Sequence, residues 1–368
     1  MASTHPYRGL PDHQFWSRAV TWAPPGGLDP VVTTRFRVGP EDRIGTMGSC
    51  FAQHLSRHLS RSGLTYFVPE AGPAARPGLR DEDPTEAARL QYGTFSARYG
   101  NLYTVAQAVQ LFDRAYGRFA PADEVWERAD GALVDPFRPL VEPAGFATIE
   151  ALRADREHHL AAVRSVFEDA DVLVFTLGLT EGWRAKADGA VFATAPGVNG
   201  GAWDPEHYEF VNFGVDEVRR GLFDLIDRAR SVNPSLRVLL TVSPVPLIAT
   251  YEDRHVLVST TASKAVLRVA ADEAAARYPF VDYFPSYEII SAATGVRDYY
   301  APDRREVEEL GVSHVMRVFS RHYLAGLGWE ANPTASVPLP ATLTDEERGV
   351  VCDEETVAAA IEASAAER

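Results

Sequence analysis

The feature that most constrains this chain is its alternation of near-continuous apolar runs with amphipathic stretches. Asp171-Val172-Leu173-Val174-Phe175-Thr176-Leu177-Gly178 and Leu236-Arg237-Val238-Leu239-Leu240-Thr241-Val242 are apolar at successive positions, as a strand buried on both faces requires. Residues 149–167, 215–232 and 256–278 repeat apolar side chains at helical spacing, and Phe280-Val281-Asp282-Tyr283-Phe284 reads as a last strand. Near the start, Arg43-Ile44-Gly45-Thr46-Met47 leads into Gly48-Ser49-Cys50. Phe51, Leu55 and Leu59 then fall at helical spacing up to Gly63, which reads as strand, tight glycine turn, helix. Strands alternating with helices predict an α/β fold with a doubly wound, mostly parallel sheet in a flavodoxin-like three-layer sandwich.

The remaining elements decorate that sheet. Leu64 to Val68 reads as a second strand. Residues 69–98, with Pro69, Pro73, Pro77 and Pro84, read as a long surface insertion carrying at most one short helix. Thr104 is well typed as the N-cap of a helix over 105–115, and a second insertion follows at about 118–145. Asp130-Gly131 and Asp188-Gly189 signal small hairpins. A helix over 311–324 closes the core with Val312, Val315, Met316, Phe319 and Tyr323 on one face. At 368 residues the chain has room for two domains or one large α/β domain. We expect an N-terminal extension (1–42), one α/β domain (43–330) and a weakly packed acidic tail (331–368).

Charge and cysteine content exclude several functions. A net charge of −15 argues against nucleic acid and anionic membrane surfaces as partners. Cys50 and Cys352 are the chain's two cysteines, too few for a disulfide scaffold or a thiolate zinc site. The first residues lack the apolar core of a signal peptide, and no stretch is long and apolar enough to span a bilayer. We therefore expect a cytoplasmic protein without metal or cofactor, with a small-molecule partner and a homo-oligomer left open. His54 and His58 share helical spacing, but of these two, His158 and His159, most read as solvated helix-face residues.

In open α/β sheets ligands collect beyond the carboxyl ends of the strands. Gly48-Ser49-Cys50, Gly178-Leu179-Thr180-Glu181 and Ser243-Pro244 all end strands and should open onto one edge. Cys50 is expected in the first turn of the helix, where unpaired N–H groups and the helix dipole favour a thiolate. The alternative is a buried small hydrophobe, and Ser49 is the competing nucleophile. For a base, His255 lies in the loop after Ser243-Pro244. His314 lies opposite the core stripe of its helix, either exposed or turned into a cleft, with Asp303 upstream. Asn101 after Gly100 suits an oxyanion hole or a left-handed turn, and Glu181 beside Trp183 suits a substrate contact or a polar loop.

Gly48-Ser49-Cys50-Phe51-Ala52 is similar to the motif of the GSCFA domain family, whose members resemble SGNH (GDSL-like) esterases and acyltransferases. Tyr99-Gly100-Asn101-Leu102-Tyr103-Thr104, Thr176-Leu177-Gly178, Thr241-Val242-Ser243-Pro244-Val245 and Ala262-Ser263-Lys264-Ala265-Val266-Leu267 resemble the family's later landmarks, over about residues 43–325. The resemblance implies an SGNH-like fold and acyl chemistry on a small-molecule acyl donor and acceptor. In SGNH enzymes the first motif is Gly-Asp-Ser, which sets Cys50 under the nucleophilic serine and Ser49 under the aspartate. Gly48 starts that motif, Gly100 or Asn101 and the Gly178–Thr180 turn match the oxyanion blocks, and Thr180 stands where asparagine is usual. The last block departs most: Asp303-Arg304-Arg305-Glu306 has glutamate where Asp-x-x-His carries histidine, leaving His255 or His314 as base. The alternative to an enzyme is an SGNH-like binding module for a saccharide or an acyl-carrier ligand, which Glu306 favours.

Overall fold

A computed structural model of the chain describes residues 5–24, 26–292, 299–325, 353, 355–357 and 359–360. In chain order the elements are β1 (Ile44–Gly48), α1 (Ala52–Arg61), α2 (Leu79–Glu82), α3 (Pro84–Arg89), α4 (Val105–Ala115), β2 (Trp126–Glu127) and β3 (Leu133–Val134). There follow α5 (Ile149–Asp169), β4 (Val172–Leu177), β5 (Glu181–Ala185), β6 (Val191–Phe192), β7 (Tyr208–Asn212) and α6 (Val215–Val232). The series closes with β8 (Arg237–Val242), α7 (Val256–Arg277), β9 (Val281–Tyr283), α8 (Ser286–Ser291) and α9 (Glu309–Tyr323).

The central sheet runs β1-β4-β8-β9, every pair parallel, and helices cover both faces, giving the expected three-layer α/β architecture. Alternation along β4 shows why its run is apolar throughout. Val172 and Val174 join the core under α1, α8 and α9, while Leu173, Phe175 and Leu177 join the core under α4 to α7. Thr104 caps α4 through a capping box with Gln107, its Oγ1 accepting from Gln107 N. Both Asp-Gly pairs lie between antiparallel strands, β2 with β3 and β5 with β6. Among the described residues no helix is long and apolar enough to cross a membrane.

Three expectations change. Leu64–Val68 is not a strand: it makes one parallel bridge, Ile44 to Tyr66. Beyond it the Ser96 hydroxyl takes Thr46 N at 2.8 Å, and Pro69 has no N–H to continue a ladder. Residues 69–98 are not a surface insertion, because they carry α2 and α3 and bury Glu70, Phe95 and Arg98. A charge network anchors them: Glu70 accepts from Arg98 N and from His159 Nδ1, and Arg98 reaches Asp155 and Glu142. Burial alone would raise the Glu70 carboxyl, but His159 and Arg138 overcome it and hold it at about 2. The helix histidines are not solvated. His159 is buried, His158 is half-buried with Nε2 at Gly72 O, and His54 and His58 are half-buried, His58 bonding Ser320 on α9. Within the tail, Asp353 is buried against the body; Cys352 lies outside the described residues.

Candidate active site

The site grows from the end of β1. Gly48 has φ +132°, and a Cβ there would collide with the carbonyl oxygen of Thr176 on the neighbouring strand, so only glycine turns the chain here. Ser49 N then bonds Thr176 O, and Ala52 N and Gln53 N return to the carbonyls of Ser49 and Cys50. These bonds form a tight turn ahead of α1. Cys50 therefore lies two residues before the helix instead of inside its first turn, and it is 4% exposed.

The segment 99–104 threads between the ends of β1 and β4. Leu102 N bonds Gly48 O at 2.9 Å, Leu179 N bonds Tyr103 O at 2.8 Å, and Gly100 supplies a left-handed φ of +69°. Gly178 fits between the two turns, since a Cβ there would stand 2.8 Å from Ser49 Cβ and 3.0 Å from Tyr103 O. From the far side, α7 presents Ser263 and Lys264. Ser263 Oγ accepts from Thr180 N at 3.0 Å, and Lys264 Nζ donates to Gly178 O at 2.7 Å.

These elements enclose a pocket lined by Ser49, Cys50, Tyr103, Gly178, Ser243 and Lys264 among others. It has room for about one water molecule. The three strand ends expected to share an edge do meet here. The Ser49 hydroxyl is buried without a hydrogen-bond partner, an unsatisfied donor at this turn.

The other expected site residues divide. Asn101 is buried beside the pocket, its Oδ1 accepting from Gln53 Nε2 and its Nδ2 donating to Asp353. The Thr180 hydroxyl donates to Asn212, and Glu181 accepts from the Thr250 hydroxyl; burial raises the Glu181 carboxyl. His314 is neither exposed nor turned into the cleft. It is buried with Nδ1 at the Tyr299 hydroxyl and Nε2 at Leu28 O, each 2.7 Å, and burial lowers its pKa. His255 is exposed and caps α7, its Nδ1 accepting from Leu257 N. Asp303 is exposed and accepts the N–H groups of Arg305 and Glu306 in its own turn. None of these three lines the pocket. Among the described residues, no cluster of three or more histidine, cysteine or carboxylate groups is arranged to hold a metal.

Lys264 received no role from the sequence, although a signal exists. Ser263, Lys264, Leu267, Ala270, Ala271 and Ala274 form the buried stripe of α7, so a lysine occupies a core position. A buried ammonium needs a partner and a purpose. Chemically, the pocket sets a thiol, a hydroxyl and an ammonium around one small space.

The model of the GSCFA family matches residues 43–319, from the residue before β1 into α9. No curated protein matches the chain.

Proposed function

The chain belongs to the GSCFA family, and from that premise we propose that it is an acyl-transfer enzyme, an esterase or acyltransferase, with Cys50 as nucleophile and Lys264 as its proton-handling partner. The observation that carries this reading is the shared pocket of Cys50 and Lys264 at the carboxyl edge of the sheet. A cation beside a thiol, at the approach to a helix N-terminus, favours the thiolate. The family's resemblance to SGNH enzymes supplies acyl chemistry as the reaction class, and in those enzymes the position of Cys50 is the nucleophile's.

In this scheme the Cys50 thiolate attacks the acyl carbonyl, and the carbonyl electron pair moves onto its oxygen. The unpartnered Ser49 hydroxyl is the nearby side-chain donor for that oxyanion. As the intermediate collapses, the bond to the leaving group breaks and Lys264 gives that group its proton, leaving a thioester and a neutral amine. An acceptor hydroxyl, from water or an alcohol, then loses its proton to Lys264 while its oxygen attacks the thioester, restoring the thiolate and the ammonium.

Alkylation by iodoacetamide and turnover of p-nitrophenyl acetate, followed from about pH 5 to about pH 9, test the proposal. The expected result is that both rise together with an apparent pKa below the ordinary thiol value of about 8.5. Ordinary thiol behaviour at Cys50 with no turnover overturns it. The second reading, a binding module for a saccharide or acyl-carrier ligand, rests on Glu306 and on the absence of His255 and His314 from the pocket lining. Ligand binding without turnover would select it.

A further inference from the structure

Asn101 and Tyr103, at the rim of the Cys50 pocket, are both engaged by a residue from the far end of the chain. Asn101 Nδ2 donates to Asp353 Oδ2 at 2.9 Å, and Asp353 N donates to the Tyr103 hydroxyl at 3.1 Å. Asp353 is 3% exposed, and the Thr356 hydroxyl donates to its carbonyl. Nearby, Glu355 lies within electrostatic reach of Arg305 and Glu306. A carboxylate leaves water only where donors replace its hydration. Here a side-chain amide takes the carboxylate, while a phenol takes the backbone N–H of the same residue.

We propose that the notch formed by Asn101 and Tyr103 is a carboxylate-binding subsite of the pocket, filled in this structure by Asp353, so that a carboxylate-bearing ligand and the C-terminal segment compete for it. The subsite deepens the acyl-transfer reading, on which it rests for its substrate class, by naming an acyl group that carries a carboxylate. Occupancy by Asp353 does not itself depend on that reading. Three observations support competition over simple packing. The occupant is a carboxyl side chain taken out of water, Tyr103 lines the nucleophile pocket with Asn101 two residues before it in the chain, and the space left beside Cys50 has room for about one water molecule.

The test uses the full-length chain with Cys352→Ser, so that iodoacetamide reads Cys50 alone. Adding Asp353→Ala should speed alkylation about tenfold, the scale of losing one charge-assisted hydrogen bond. Sodium acetate, compared with sodium chloride at equal ionic strength, should slow it again in the Asp353→Ala chain and not in its parent. Asp353→Asn, which keeps the shape and loses the charge, carries the same expectation if the alanine variant does not fold. An unchanged rate in the folded variant overturns the proposal, as does a faster rate that acetate fails to slow. Alkylation reads access and not turnover, so this result is separate from the failure of the acyl-transfer reading.

Discussion

Gly178→Ala should disturb the site from within, and Gly182→Ala, four residues on, should not. At Gly178 an added Cβ would meet Ser49 Cβ at 2.8 Å, Tyr103 O at 3.0 Å and Tyr103 Cα at 3.2 Å. Two of those neighbours are backbone atoms of a residue tied to Leu179 by a 2.8 Å hydrogen bond, so relief falls on Ser49 and the turn that carries Cys50. Overpacking of this kind costs about 2–3 kcal/mol. Restricting the unfolded chain returns about 0.5–1 kcal/mol, leaving a net loss of about 1–2.5 kcal/mol. At Gly182 the same Cβ would meet Val191 Cγ1 at 3.5 Å and Phe192 O and Thr104 Cγ2 at 3.7 Å, ordinary contacts, so the net change is about zero or slightly stabilising. Urea midpoints at constant m separate the two variants, and iodoacetamide labelling shows whether Cys50 reactivity changes in the folded Gly178→Ala chain alone. Equal midpoints, or a Gly178→Ala chain as stable as its parent, would refute the packing argument.

Other outcomes follow from the same geometry. Lys264→Met keeps the buried stem and removes the ammonium, so ester turnover should fall by about a hundredfold or more while the chain still folds; turnover within a few-fold of the parent removes Lys264 from the mechanism. His255→Ala should cost about 1 kcal/mol through the lost α7 cap and leave turnover unchanged, whereas a hundredfold loss would return His255 to the role of base. His54 is held neutral, burial first and then Arg57 pushing it from its ordinary 6.5 to about 3. The unfolded chain then binds the extra proton, so stability is full above about pH 6.5 and is lost as pH falls toward 3. At pH 5 the loss is about 2 kcal/mol for this residue. Urea midpoints that do not fall between pH 7 and pH 5 would contradict it.

The sheet was readable in the sequence because burial on both faces leaves a local mark. β4 and β8 are apolar at nearly every position, and the segments feeding them carry helical spacing that survives as α5, α6 and α7. The Gly48 turn was readable for a similar reason, since a backbone that approaches Thr176 this closely admits only glycine. What did not show is what depends on contacts far apart in the chain. Glu70 is buried because His159 and the backbone N–H of Arg98 hydrogen-bond it and Arg138 offsets its charge, and nothing in a proline-rich stretch announces those partners. His314 reads as a residue off the core stripe, yet the N-terminal segment supplies Leu28 O to cover it. Asp353 sits in an acidic tail of ordinary composition and meets Asn101 across most of the chain. Lys264 lies between these cases: its helix is clear in the sequence, and its spacing from Leu267, Ala270, Ala271 and Ala274 puts a lysine on the buried stripe.

The most direct measurement is peptide mapping by mass spectrometry after quenching the protein with a slowly turned-over acyl donor. The account predicts one acyl group, carried as a thioester on Cys50, absent from Cys50→Ala and accumulating more slowly in Lys264→Met. An acyl group on Ser49, or no adduct while ester is still consumed, would contradict it.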